Sequence, residues 1–133
     1  MKPHRITQIE KQRTGTDCSV CALAMLLDAS YNTVWEAAIS VLGRAPTRGL
    51  YNTECLKVAT KLGIRMRVRK RGHYDLKRAT GLLPVTSAGG KHMVALFRGV
   101  VVDPKDGALW EAETYLKAGT WEETSLLEVV EAS

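Results

Sequence analysis

Read as apolar and polar positions, the chain changes period once. From Cys18 to Leu27 the residues are apolar almost without interruption and are good helix formers, behind the turn-forming segment Thr14-Gly15-Thr16-Asp17. This pattern predicts a helix buried nearly all round. After the cap Asn32-Thr33, apolar Val34, Trp35, Ala38, Ile39 and Leu42 recur at helical spacing and stop at Gly43. Leu56, Ala59 and Leu62 repeat the arrangement between Asn52-Thr53 and Gly63. Two further helices follow from that spacing, each ended by glycine.

Beyond Gly63 the period falls to two, with Ile64, Met66 and Val68 alternating with Arg65, Arg67 and Arg69. That is a half-buried strand. Asp75 to Ala79 has room for one helical turn, and Leu82 to Thr86 reads as a strand in which Pro84 demands an edge or a bulge. His92 to Phe97 and Val100 to Asp103, split by Arg98-Gly99, predict a tight hairpin. Met1 to Thr16 has no helical period and is expected as an extended arm. The acidic stretch after Trp110 receives no assignment. Helices ahead of strands argue an α+β fold, N-terminal helices packed on an antiparallel sheet, with residues 1–133 forming one domain.

Composition narrows the class without naming a function. With 45% hydrophobic and 25% charged residues the chain has the balance of a globular protein. The longest unbroken apolar run, Val20 to Leu27, falls short of the roughly 20 residues a spanning helix needs. No membrane partner is expected. Met1 to Glu10 lacks the apolar stretch and cleavage site of a secretory signal, so the cytoplasm is the expected location. There, three cysteines (Cys18, Cys21 and Cys55) are expected to stay reduced. The net charge of +5 gathers in Arg65, Arg67, Arg69, Lys70 and Arg71. No aromatic residues interleave with that row, so nucleic-acid binding is not expected, and the row reads as the solvated face of an edge strand.

The chemistry concentrates at Cys18. A cysteine in the first turn of a helix sits where unpaired backbone N–H groups favour a thiolate. A free cysteine on an apolar helix is equally well a packing residue, as Cys21 is read, so a partner must separate the two cases. His92 opens a predicted strand after the flexible Ala88-Gly89-Gly90-Lys91. Asp103 closes the other arm of the same hairpin, which brings it beside His92 across eleven positions. Such a carboxylate holds one imidazole nitrogen and aims the other at the thiol. Cys18-Ser19-Val20-Cys21 also has the spacing of a redox pair or half a zinc site, but neither a βαβ setting nor a second ligand pair accompanies it. His4 and His73 lie in polar surroundings and are read as solvated.

Gln12, Asp17-Cys18, Ala22-Leu23-Ala24-Met25, His92-Met93-Val94-Ala95-Leu96 and Val102-Asp103-Pro104 together resemble the papain-like cysteine peptidase domain of bacteriocin exporters, the double-glycine leader peptidases, and their stand-alone relatives. The resemblance spans about Gln12 to Pro104. It implies a papain-like cysteine peptidase fold of bacterial or phage origin, a peptide or protein substrate, and no cofactor. It also implies roles: Cys18 the nucleophile, His92 the base, Asp103 its orienter, and Gln12 a donor to the oxyanion hole. Two local differences from the family are Ser19, where glycine usually follows the cysteine, and a shorter histidine-to-aspartate hairpin. The same site chemistry also serves deamidation or acyl transfer, and a catalytically silent domain of this fold would bind a protein segment instead.

Overall fold

A computed structural model describes residues 6–132; His4 lies outside them. Helix α1 (Cys18–Leu27) begins and ends where its apolar run does. Every one of its residues after Cys18 is buried, because the helix lies under the sheet with two further helices against it. These are α2 (Tyr31–Leu42) and α3 (Asn52–Lys61). The cap of α2 is Ser30 rather than Asn32-Thr33: the Ser30 hydroxyl accepts from the Thr33 N–H at 3.0 Å. Its buried face is Tyr31, Val34, Ala37 and Ala38, which leaves the expected core residue Ile39 exposed. Tyr51, not Asn52, caps α3, and its N–H donates to Glu54.

The strands are β1 (Ile64–Lys70), β2 (Thr80–Ser87), β3 (Gly90–Phe97), β4 (Val100–Val102), β5 (Leu109–Glu111), β6 (Glu122–Glu123) and β7 (Ser125–Ala132), with α4 (Ala112–Ala118) between β5 and β6. All pairings among the described residues are antiparallel, in the order β1-β7-β2-β3-β4-β5, and β6 also pairs with β2. The expected α+β architecture is present, with α1 to α3 on one face of the sheet and α4 on the other.

Several strand expectations need correction. Val68 is 52% exposed, because β1 is an edge strand and only Ile64 and Met66 of its apolar side reach the helical core. Pro84 is in an interior strand rather than at an edge. It is tolerated because β2 pairs with β7 at Gly81–Leu82 and with β6 at Val85–Thr86, so its missing N–H falls at the break between them. The acidic tail holds α4 and β7, and β7 inserts between β1 and β2 with Leu126 and Leu127 fully buried. The hairpin from β3 to β4 turns on Arg98 and Gly99, both at positive φ, as a two-residue loop of this kind requires.

Candidate active site

The arm ahead of α1 is fastened before it reaches Cys18. Gln8 donates its side-chain amide to the carbonyls of Ala24 and Ala29 at the far end of α1, and the Gln12 N–H bonds Pro104 O at 2.7 Å. Asp17 does not cap α1 with its side chain. Buried to 1% exposure, it accepts from the N–H groups of Arg13 and Thr14 and, at 2.9 Å, from the Tyr31 hydroxyl. Burial pushes its carboxyl up, but these hydrogen bonds outweigh that and hold it below the usual carboxylate range. The loop from Gln12 to Thr16 is thereby folded around a charged residue next to Cys18.

Cys18 is the single residue of α1 that is not buried, and it opens onto a cleft of about 460 Å³. One wall is the loop Arg48 to Tyr51 with the first residues of α3, and the other comes from Pro84 to Thr86 and Lys91 to Met93. The loop is latched to the start of α1, with Thr16 Oγ1 donating to Thr47 O at 2.6 Å and Leu50 N–H donating to Ser19 Oγ at 3.0 Å. Ser19, standing where the resembled family usually has glycine, is thus a tether. Gly49 passes so close that a Cβ would come 2.7 Å from Thr16 O, and its φ of +82° is open to glycine.

His92 stands in that cleft with Cys18. In β3 it shares a face with Val94 and Leu96, whose side chains belong to the cluster under α4, so the imidazole comes from the sheet face opposite α1. The two meet at the end of the sheet. His92 Nε2 bonds Asp103 Oδ1 at 2.6 Å, which leaves Nδ1 for Cys18. The ladder places Val94, not His92, opposite Asp103, so the contact is diagonal. Asp103 follows the last residue of β4, and nearby Asp106 only caps its own turn by accepting from Ala108 N–H. Burial lowers the imidazole pKa, but the bonded Asp103 and the neighbouring Cys18 outweigh it and raise it to about 9. Burial raises Asp103 in turn, yet His92 and the Lys105 N–H hold it below the usual range.

Gln12 shares a second depression with His92 and Lys105, and its side-chain amide donates to Thr14 O at 3.1 Å. Cys21 and Cys55 are fully buried, and burial pushes the Cys21 thiol up to about 12. His73 is exposed. Two neighbours of the site had no signal in the sequence. Trp121 stacks on His92 with centroids 5.8 Å apart, and the Tyr115 hydroxyl donates to Asp103 Oδ2 at 2.8 Å. Both come from the acidic tail, where no element was assigned, and tertiary structure alone brings them to β3 and β4.

The Peptidase C39 family model matches residues 6–95. The fold is similar to the peptidase domain of Streptococcus ComA, a bi-functional ABC transporter involved in a quorum sensing pathway: 14% identity, TM-score 0.63, covering 93% of this chain and 98% of that one. It is also similar to a double glycine motif protease from an AMS/PCAT transporter, solved in complex with the leader peptide, at 19% identity and a TM-score of 0.57, covering 92% of this chain and 90% of that one. No curated protein matches the sequence. The papain-like fold is shared with both domains, and, since the family model runs through more than half of the residues, the chain belongs to the Peptidase C39 family of cysteine peptidases.

Proposed function

We propose that this peptidase cleaves a peptide or isopeptide-like amide through Cys18, His92 and Asp103, with Gln12 completing the oxyanion hole. The observation that carries the reading is the 2.6 Å bond from His92 Nε2 to Asp103, with His92 lining the cleft onto which the one accessible residue of α1 opens. His92 Nδ1 takes the proton of Cys18 Sγ, and the imidazolium beside the sulfur is the partner a thiolate needs. The thiolate attacks the carbonyl carbon. Charge developing on the carbonyl oxygen is met by the Cys18 backbone N–H at the helix start and by the Gln12 side-chain amide, which turns from Thr14 O to reach it. His92 then returns its proton to the leaving amine as the C–N bond breaks, and water, deprotonated by His92, releases the acyl group from its thioester.

No cofactor enters this sequence. Residues 1–133 act as one domain, in the cytoplasm, on a peptide laid between the loop Arg48 to Tyr51 and the start of β3. No described helix is long and apolar enough to cross a membrane. The leader-peptide complex of the AMS/PCAT protease supports a peptide substrate and makes a Gly-Gly sequence the first to test. Iodoacetamide mapping at neutral pH should label Cys18 ahead of Cys21 and Cys55, and Cys18→Ala should abolish cleavage of a Gly-Gly peptide that the wild type cuts. Preferential labelling of Cys21 or Cys55, or full cleavage by the variant, overturns the assignment.

A further inference from the structure

Asp103 is held from two sides. Its Oδ1 meets His92 Nε2 and accepts from the Lys105 N–H at 2.9 Å, while Oδ2 has one partner among the described residues, the Tyr115 hydroxyl at 2.8 Å. The aspartate is 8% exposed and Tyr115 is 5% exposed, so little water reaches this bond. Tyr115 is itself fixed. Its ring stacks on Trp121 at an interplanar angle of 9° and meets the edge of Trp110, and it belongs to the apolar cluster between α4 and the sheet. Burial and the hydrogen bond to Asp103 both push the Tyr115 phenol up, so it stays a donor throughout the working range.

The bonds to His92 and to the Lys105 N–H both fall on Oδ1, so the carboxylate can pivot about that oxygen unless Oδ2 is tied. On the reading that His92 and Asp103 act with Cys18, we infer that Tyr115 is a positioning residue: its hydroxyl fixes the Asp103 carboxylate so that Oδ1 faces His92 Nε2. The inference reaches beyond the three side chains and Gln12, because it makes α4, outside the region matched by the family model, part of the working site. A buried phenol satisfied by the nearest acceptor is the competing account. It predicts a loss of stability without any effect on His92.

Tyr115→Phe separates the two, since phenylalanine keeps the stack on Trp121 and removes only the donor. Without it Oδ2 is unpaired, the carboxylate turns toward the cavity lined by Lys91, Lys105, Asp106 and Trp121, and its grip on His92 loosens. Those charged groups and Cys18 on α1 are the others facing the pair, and the variant leaves them unchanged. The readout is the rate of Cys18 alkylation by iodoacetate against pH: the anionic reagent is drawn by the His92 imidazolium, so the rate falls as that group loses its proton, and the alkaline limb reports the loss.

In Tyr115→Phe that limb should move down by about half a unit to one unit, which makes the reaction roughly 3- to 10-fold slower near pH 10 and less than about two-fold slower near pH 8. In an Asp103→Asn background the same substitution should add almost nothing, because the group it positions is gone. An unchanged limb overturns the inference. So does an upward shift, which means Tyr115 merely tempers the charge of Asp103, and so does an additive effect in the Asp103→Asn background. If Asp103→Asn itself leaves the profile of the wild type intact, the catalytic reading fails first and the positioning role falls with it. If instead Asp103→Asn shifts the limb and Tyr115→Phe does not, only the positioning role is lost.

Discussion

At the scale of single residues the site is a set of buried polar groups, each satisfied by another that came from elsewhere in the chain. Asp17 and Asp103 are both nearly inaccessible: Asp17 is kept ionised by neutral donors alone, Asp103 by the His92 imidazole in direct contact together with the Lys105 N–H and the Tyr115 hydroxyl. His92 differs, since its charge depends on pH in the working range. Its pKa of about 9 in the fold lies above the ordinary 6.5. The stabilisation from pairing is therefore fully present below pH 6.5 and is lost as pH rises through 9. The difference corresponds to about 3 kcal/mol. Asp103→Asn should open a gap in unfolding free energy at pH 6, and the gap should narrow above pH 9. Urea unfolding of both proteins at the two pH values checks this, and a gap independent of pH would contradict the raised imidazole.

At the scale of elements, Cys18 and His92 meet because α1 and β3 begin at the same edge of the molecule, while the cleft between them is shaped by a loop. The stretch Arg48 to Leu50 has no regular structure and depends on Thr16 and Ser19 for its position. Ser19→Ala removes the acceptor of the Leu50 N–H and should cost about 1 kcal/mol. The consequence expected is a several-fold higher KM for a Gly-Gly peptide with the rate of Cys18 alkylation unchanged, because the wall of the cleft loosens and the thiol does not move. Steady-state kinetics beside alkylation rates test it. Equal changes in both would place Ser19 in the chemistry instead.

For the whole molecule, the decisive event is the return of the tail into the sheet. β7 joins the edge strand β1 to β2, and Gly81 is the point of closest approach: a Cβ there would come 2.1 Å from Leu127 O. Gly81→Ala must push β7 off β2 or bend both. It should destabilise by about 3 kcal/mol or more, in the range of mutations that break packed backbone. Gly15→Ala, where a Cβ meets nothing within 4 Å, should change stability by less than about 0.5 kcal/mol. Denaturant midpoints of the two variants give the comparison, and equal midpoints would refute the close approach. The basic row of β1 lies at the free end of the same sheet, where Arg67 and Arg69 lean on Glu128 of β7.

The sequence by itself determined what depends on neighbours a few positions away. The boundaries of α1, the two-residue turn at Arg98-Gly99, the alternation of β1 and the pairing of His92 with Asp103 all follow from local period or from one short hairpin. Tertiary structure decided the rest. Whether Ile39 and Val68 are covered depends on which elements reach them, and Pro84 is tolerated because of a gap between two distant strands. The tail gave no signal because its glutamates outweigh the apolar pairs Leu126-Leu127 and Val129-Val130 in any local window. Those residues become a strand only when β1 and β2 supply hydrogen-bond partners on both sides. Tyr115 and Trp121 reach Asp103 and His92 for the same reason: α4 packs against the sheet and carries Tyr115 to Asp103, while the segment that follows brings Trp121 over His92.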